Sequence, residues 1–127
     1  MEKDFNKWSE LKQKLNNRKA VPTFKEREVW WCSIGANVGC EEDGKNQLFN
    51  RPILVVRKFN NNLFLAIPLS SQIKENRYYH KIHLQDKEGS VLLSQIRVLE
   101  GKRLNHKIAT ITKEQFEIVR EKIRGVI

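Results

Sequence analysis

The stretch Asn50–Gln72, "NRPILVVRKFNNNLFLAIPLSSQ", decides the fold. Its two runs "RPILVVRKF" and "LFLAIPLS" are almost wholly apolar inside, and "NNN" joins them. Short runs rich in β-branched and aromatic residues, bounded by turn formers, read as buried strands. Asparagine tolerates the left-handed backbone a tight hairpin needs, so the two runs are expected to pair. Pro52 stands at the start of the first, where a strand tolerates proline. Polar residues fence the runs: Arg51 at one end, Ser70, Ser71 and Gln72 at the other. In a hairpin these ends lie side by side, so Arg51 and Ser70 are expected at one rim. Two readings of the fence stand open. The guanidinium presents a planar fork of donors to a phosphate, or Arg51 clasps Glu41 or Glu42 while the serines cap a turn.

Upstream of it, "REVWWCSI" (27–34) reads as a strand. "GANVGCEEDGKNQLFN" follows, a loop of roughly sixteen residues marked by Gly35, Gly39, Gly44 and the acidic cluster Glu41–Glu42–Asp43. Beyond the hairpin, "YYHKIHLQ" is a strand ending at "DKEG", and "SVLLSQIRVLE" is a fifth, interrupted by Ser94–Gln95. "HKIATI" is a short sixth. Thr112 and Gln115 form a capping box for a terminal helix carrying Phe116, Val119, Ile123 and Val126 on one face. At the other end, Phe5, Trp8, Leu11 and Leu15 give a helical stripe over 4–17, which "NNRKAVP" ends, because Pro22 disfavours helix at Val21. The reading is an N-terminal helical extension, 1–22, on a main domain, 23–127. The class is mostly β: a small antiparallel β-barrel with a C-terminal helix and an extra N-terminal helix.

With 127 residues the chain suits one domain, and a net charge of +9 points to a polyanion or an acidic protein as partner. No apolar run reaches the roughly 20 residues that span a bilayer, and the N-terminus lacks the apolar core of a signal peptide, so a cytoplasmic location is expected. Cys32 and Cys40 lack metal-site spacing and read as ordinary thiols. His80 and His83, three apart on a strand, face opposite ways and cannot share a metal. Phosphate-loop, nucleophile-elbow and zinc-protease signatures are missing from the sequence, and no cofactor is expected.

Five segments in order resemble the MazF/PemK family of toxins from bacterial toxin–antitoxin pairs: "REVWW", "GCEEDG", "RPILVV", "IPLSSQ" and "SVLLSQIRVLEGKRL". The resemblance runs from about Glu26 to the C-terminus. It implies an SH3-like barrel, a homodimer, and a sequence-specific, metal-independent endoribonuclease acting on single-stranded RNA. It also implies silencing by a cognate acidic antitoxin, with which the toxin binds DNA. By the same resemblance Arg51 and Ser70 are catalytic, and Glu41 is an acidic loop residue near the RNA. Ser71, Gln72, Gln95 and Arg97 line the same RNA-binding face. Two features depart from the pattern. The loop before Arg51 is longer than in compact members, and Ser94 stands where many members carry an acid. Such an enzyme uses the substrate's 2′-hydroxyl as nucleophile and leaves a 2′,3′-cyclic phosphate and a 5′-hydroxyl. The base is open: Glu41 first, then His80 or His83. Trp30, Trp31 and Phe49 are candidates to stack bases or to be core and dimer contacts. Two other readings are a protein-binding toxin similar to the gyrase-poisoning CcdB family and a non-catalytic RNA-binding barrel.

Overall fold

The computed structural model describes residues 3–38, 41, 43–45 and 48–127. Helix α1 (Phe5–Asn16) comes first. Strands β1 (Glu28–Ser33), β2 (Asn50–Lys58), β3 (Leu63–Ser70), β4 (Tyr79–Leu84), β5 (Lys87–Leu92), β6 (Arg97–Glu100) and β7 (Leu104–Thr110) follow, then helix α2 (Lys113–Arg124). They form one curled antiparallel sheet in the order β4-β5-β3-β2-β1-β7. On the edge away from β2, β3 serves two partners: Leu63–Ala66 pair with β6, and Leu69–Ser70 with β5.

The unbroken apolar character of β2 and β3 has a simple cause: both faces are covered. Leu54 and Val56 of β2, with Ile67 and Leu69 of β3, enter a core closed by Phe116, Val119 and Ile123 of α2. Ile53 and Val55, with Phe64 and Ala66, enter a second core with Phe24, Trp30 and Leu104. Strands buried on both sides lose the polar alternation of a half-exposed strand. The β2–β3 pairing carries a bulge between Val55 and Arg57.

The hairpin turn differs from its sequence reading. None of Asn60–Asn62 has a positive φ. Instead the Asn60 side-chain carbonyl accepts from the backbone N–H of Asn62 and Leu63, both at 2.8 Å. The side chain itself closes the turn. The stretch 90–100 is not one strand either. It divides into the end of β5, a 3₁₀ turn at Leu93–Gln95, and β6. β5 begins earlier than read, at Lys87, opposite Leu84 across a tight turn where Gln85 has φ 46°. Its charged start was illegible as strand because it lies on an exposed ribbon. There Glu88 pairs across to Lys81 at 3.0 Å.

The capping box is half realised. Thr112 Oγ1 accepts from Gln115 N–H at 3.2 Å. The Gln115 side chain turns away, accepting from His83 N–H at 2.7 Å and donating to His83 O at 3.1 Å, so it pins α2 to β4. In α1, Trp8 and Leu15 are buried in a third cluster with Ala36, whereas Phe5 is half exposed. Arg18, just past α1, donates to Lys102 O and Asn105 Oδ1, tying the helix to the start of β7.

Candidate active site

Strand register places Arg51. It pairs with Cys32 of β1, and two residues along β2 Ile53 pairs with Pro68 of β3. Continuing that register brings Arg51 abreast of Ser70. The guanidinium is held by two backbone carbonyls: Nε donates to Asp43 O at 2.9 Å and Nη1 to Leu69 O at 3.0 Å. Behind it, Asn50 is buried; its side-chain carbonyl accepts from Asn105, and its backbone exchanges two hydrogen bonds with Lys45 at 2.7 and 2.8 Å. The guanidinium is thus fixed from the strand, from the neighbouring strand and from the loop. Of the clasp reading, the Glu42 half lies outside the described residues. The Glu41 carboxylate accepts from Val38 N–H at 2.9 Å.

Arg51 opens on a cleft of about 560 Å³ shared with Ser70, Ser71 and Gln72. Its walls are Trp31, Leu69, Leu84 and Ile108, with Tyr79, Lys45, Lys87 and Glu88 around them. Ser70 Oγ accepts from Gln72 N–H at 3.1 Å, so the hydroxyl caps its turn and keeps its own proton to donate. A second cleft, about 540 Å³, holds Glu41, Gln95 and Arg97, with Asn37 and Ser94. Ile53 and Pro68 wall it, while their strand neighbours Pro52 and Leu69 wall the first. The sequence-predicted residues therefore fall into two groups around one strand pair. Arg51, Ser70, Ser71 and Gln72 share one cleft; Glu41, Gln95 and Arg97 share the other.

Trp30 is a core residue whose indole donates to Glu28 Oε1, and Phe49 packs on Trp8, whereas Trp31 faces the Arg51 cleft. Glu88 and Tyr79 went unremarked in the sequence. Glu88 sits on a strand start that reads as a turn, and only the β4–β5 pairing carries it to the cleft. Burial, reinforced by the Lys122 charge, holds the His80 imidazole below its ordinary pKa. Burial pushes the Cys32 thiol up to about 12, leaving it inert. Among the described residues no cluster of three or more His, Cys, Asp or Glu has metal-binding geometry, and no helix is long and apolar enough to cross a membrane.

Residues 25–127 match the family described as "PemK-like, MazF-like toxin of type II toxin-antitoxin system". The chain belongs to the PemK/MazF toxin family. Solved relatives carry the same fold at low identity. MazF from Deinococcus radiodurans is 22% identical with a TM-score of 0.62, covering 85% of this chain and 97% of that one. An endoribonuclease from a mycobacterial species, in complex with its cognate antitoxin, is 15% identical with a TM-score of 0.62, covering 82% and 92%. The Mycobacterium tuberculosis toxin MazF-mt6 is 10% identical with a TM-score of 0.59, covering 78% and 94%. No curated protein sequence matches the chain. This PemK/MazF toxin departs from the family match at its N-terminus, where α1 precedes the matched residues.

Proposed function

We propose that this toxin is a metal-independent endoribonuclease that cuts single-stranded RNA, with Arg51 and Ser70 at the scissile phosphate. The observation that carries the reading is the Arg51 guanidinium, held by two carbonyls in a cleft beside Ser70. The 2′-hydroxyl attacks phosphorus, its proton passes to a base, and the bond to the leaving 5′-oxygen breaks as that oxygen gains a proton. Charge grows on the non-bridging oxygens, where preorganised charge-assisted donors act most strongly. Arg51 is suited to this task and unsuited to be a resting base, since its pKa lies above ~12. Ser70 donates its proton to a non-bridging oxygen. Glu41, by resemblance an acidic residue near the RNA, remains the first candidate for the base. Glu88, which lines the Arg51 cleft, is the rival the geometry adds. Gln95 and Arg97, with Ser71 and Gln72, hold RNA on either side of the β2–β3 pair.

The toxin acts as a cytoplasmic homodimer and is silenced by an acidic antitoxin that covers the Arg51 face. Charge steering by the +9 surface makes their association slow as salt rises. The test is incubation of purified protein with single-stranded RNA in excess EDTA, with the ends of the products analysed. The expected result is discrete cuts leaving a 2′,3′-cyclic phosphate and a 5′-hydroxyl. Intact RNA, or cleavage restored only by a divalent metal, refutes the reading; inhibition of gyrase in a parallel incubation would favour the CcdB-like alternative.

A further inference from the structure

α1 precedes the residues matched by the family, yet it is fastened to the loop that holds Arg51. Lys3 Nζ, just before the helix, lies 2.9 Å from Asp43 Oδ2 and donates to Asn37 O at 2.5 Å. Asp43 Oδ1 in turn accepts from Asn37 N–H at 2.6 Å. One cation therefore ties Asn37 to Asp43. The backbone carbonyl of the same Asp43 accepts from Arg51 Nε.

The neck of that loop is gripped from the helix as well. Ile34 and Gly35 N–H both donate to Phe49 O, and Gly44 N–H donates to Gly35 O at 2.7 Å. The Trp8 indole lies over this neck, 5.5 Å from the Phe49 ring centroid, with the Arg103 guanidinium 5.6 Å from the indole. Gly35 has φ +88°, and a Cβ there would run into the indole, so only glycine admits the tryptophan.

We infer that the N-terminal helix is a positioning element for the Arg51 guanidinium, acting through Lys3 on Asp43 and through Trp8 on the loop neck. The inference rests on the reading that Arg51 acts at the phosphate. Ion pairs of partly exposed groups add little to stability, so the Lys3 link is there to set geometry. A small displacement of a group that must meet a developing charge costs far more in rate than in folding.

The test compares Lys3→Met, Lys3→Arg and Trp8→Leu with the unsubstituted protein in three readouts. These are single-turnover cleavage at saturating RNA, affinity for RNA blocked by 2′-deoxy at the scissile position, and native-state trypsin cutting after Lys45. Lys3→Met is expected to cleave roughly ten- to a hundredfold more slowly at saturation, with affinity nearly unchanged and faster cutting after Lys45. Lys3→Arg is expected to restore most of the rate, and Trp8→Leu to show the same split. A normal saturated rate with weakened RNA binding makes Lys3 a simple backbone contact and overturns the inference. Trypsin cutting at the unsubstituted rate overturns it whatever the cleavage result. If the unsubstituted protein cuts no RNA, the ribonuclease reading falls on that result alone, while the trypsin arm still judges the clamp.

Discussion

The two clefts share a wall of β2 and β3 but hold their residues by different means. Arg51 and Ser70 ride on paired strands. A one-residue slip of β2 would exchange Ile53 and Leu54 between the two cores, so the register that sets Arg51 is enforced by apolar burial on both faces. Glu41 lies in a loop and Gln95 ends a 3₁₀ turn, while Arg97 opens the four-residue β6 opposite Ala66. Chemistry that needs a fixed donor fits the first cleft, and recognition that adapts to a base fits the second.

The largest effect expected on rate separates the two carboxylates. Removing a general base costs about 10²–10⁴ in rate, so either Glu41→Gln or Glu88→Gln should lose that much together with the low-pH limb of the pH–rate profile. Loss in Glu88→Gln alone puts all the chemistry in the Arg51 cleft; loss in Glu41→Gln alone makes the two clefts one composite site. Next, Ser70→Ala should slow single-turnover cleavage by less than Arg51→Ala does. The double variant should be less than additive, because both groups serve one transition state. Full additivity would separate the two roles.

Leu54→Ala is the control from the shared wall. It should destabilise the fold by about 2–5 kcal/mol in denaturant titration, with cleavage per folded molecule unchanged. A matching fall in the rate of the folded fraction would mean that the core tunes the site. The smallest effect concerns acid stability. Burial raises the Glu28 pKa, but hydrogen bonds from the Trp30 indole, the Lys25 N–H and Lys107 outweigh it and hold the carboxyl below its ordinary value. A lowered folded pKa contributes stability that is present above the unfolded pKa and lost as pH falls through the folded one. Urea midpoints should therefore fall less between pH 7 and pH 3 in Glu28→Gln than in the unsubstituted protein.

The strands were legible where burial on both faces left an unbroken apolar run, as in β2 and β3, and α2 was legible from its stripe and its Thr112 cap. What was lost has a common cause. The start of β5 is charged because it lies on an exposed ribbon, so its residues carry no burial signal and Glu88 stayed hidden. The break at Leu93–Gln95 depends on β3 changing partner midway, which no local pattern encodes. The placing of the candidate residues was half legible. That Arg51 lies beside Ser70 followed from hairpin geometry, but the division between clefts depends on which side of the β2–β3 pair each of the other residues faces. The link from Lys3 to Asp43 spans 40 positions and leaves no trace in any window of sequence.

The most direct test of the division between the clefts sets Arg51→Ala beside Arg97→Ala. Thermal stability, affinity for 2′-deoxy-blocked RNA and single-turnover cleavage are measured on the same samples. Arg51→Ala should stay folded, keep most of its affinity because many other cations hold the backbone, and lose about 10²–10³ in rate at saturating RNA. Arg97→Ala should bind RNA more weakly and cleave at a near-normal rate once saturated. Well-folded Arg51→Ala that cleaves at the unsubstituted rate, or Arg97→Ala that binds normally and fails to cleave, would contradict the assignment of the chemistry to the strand-borne cleft.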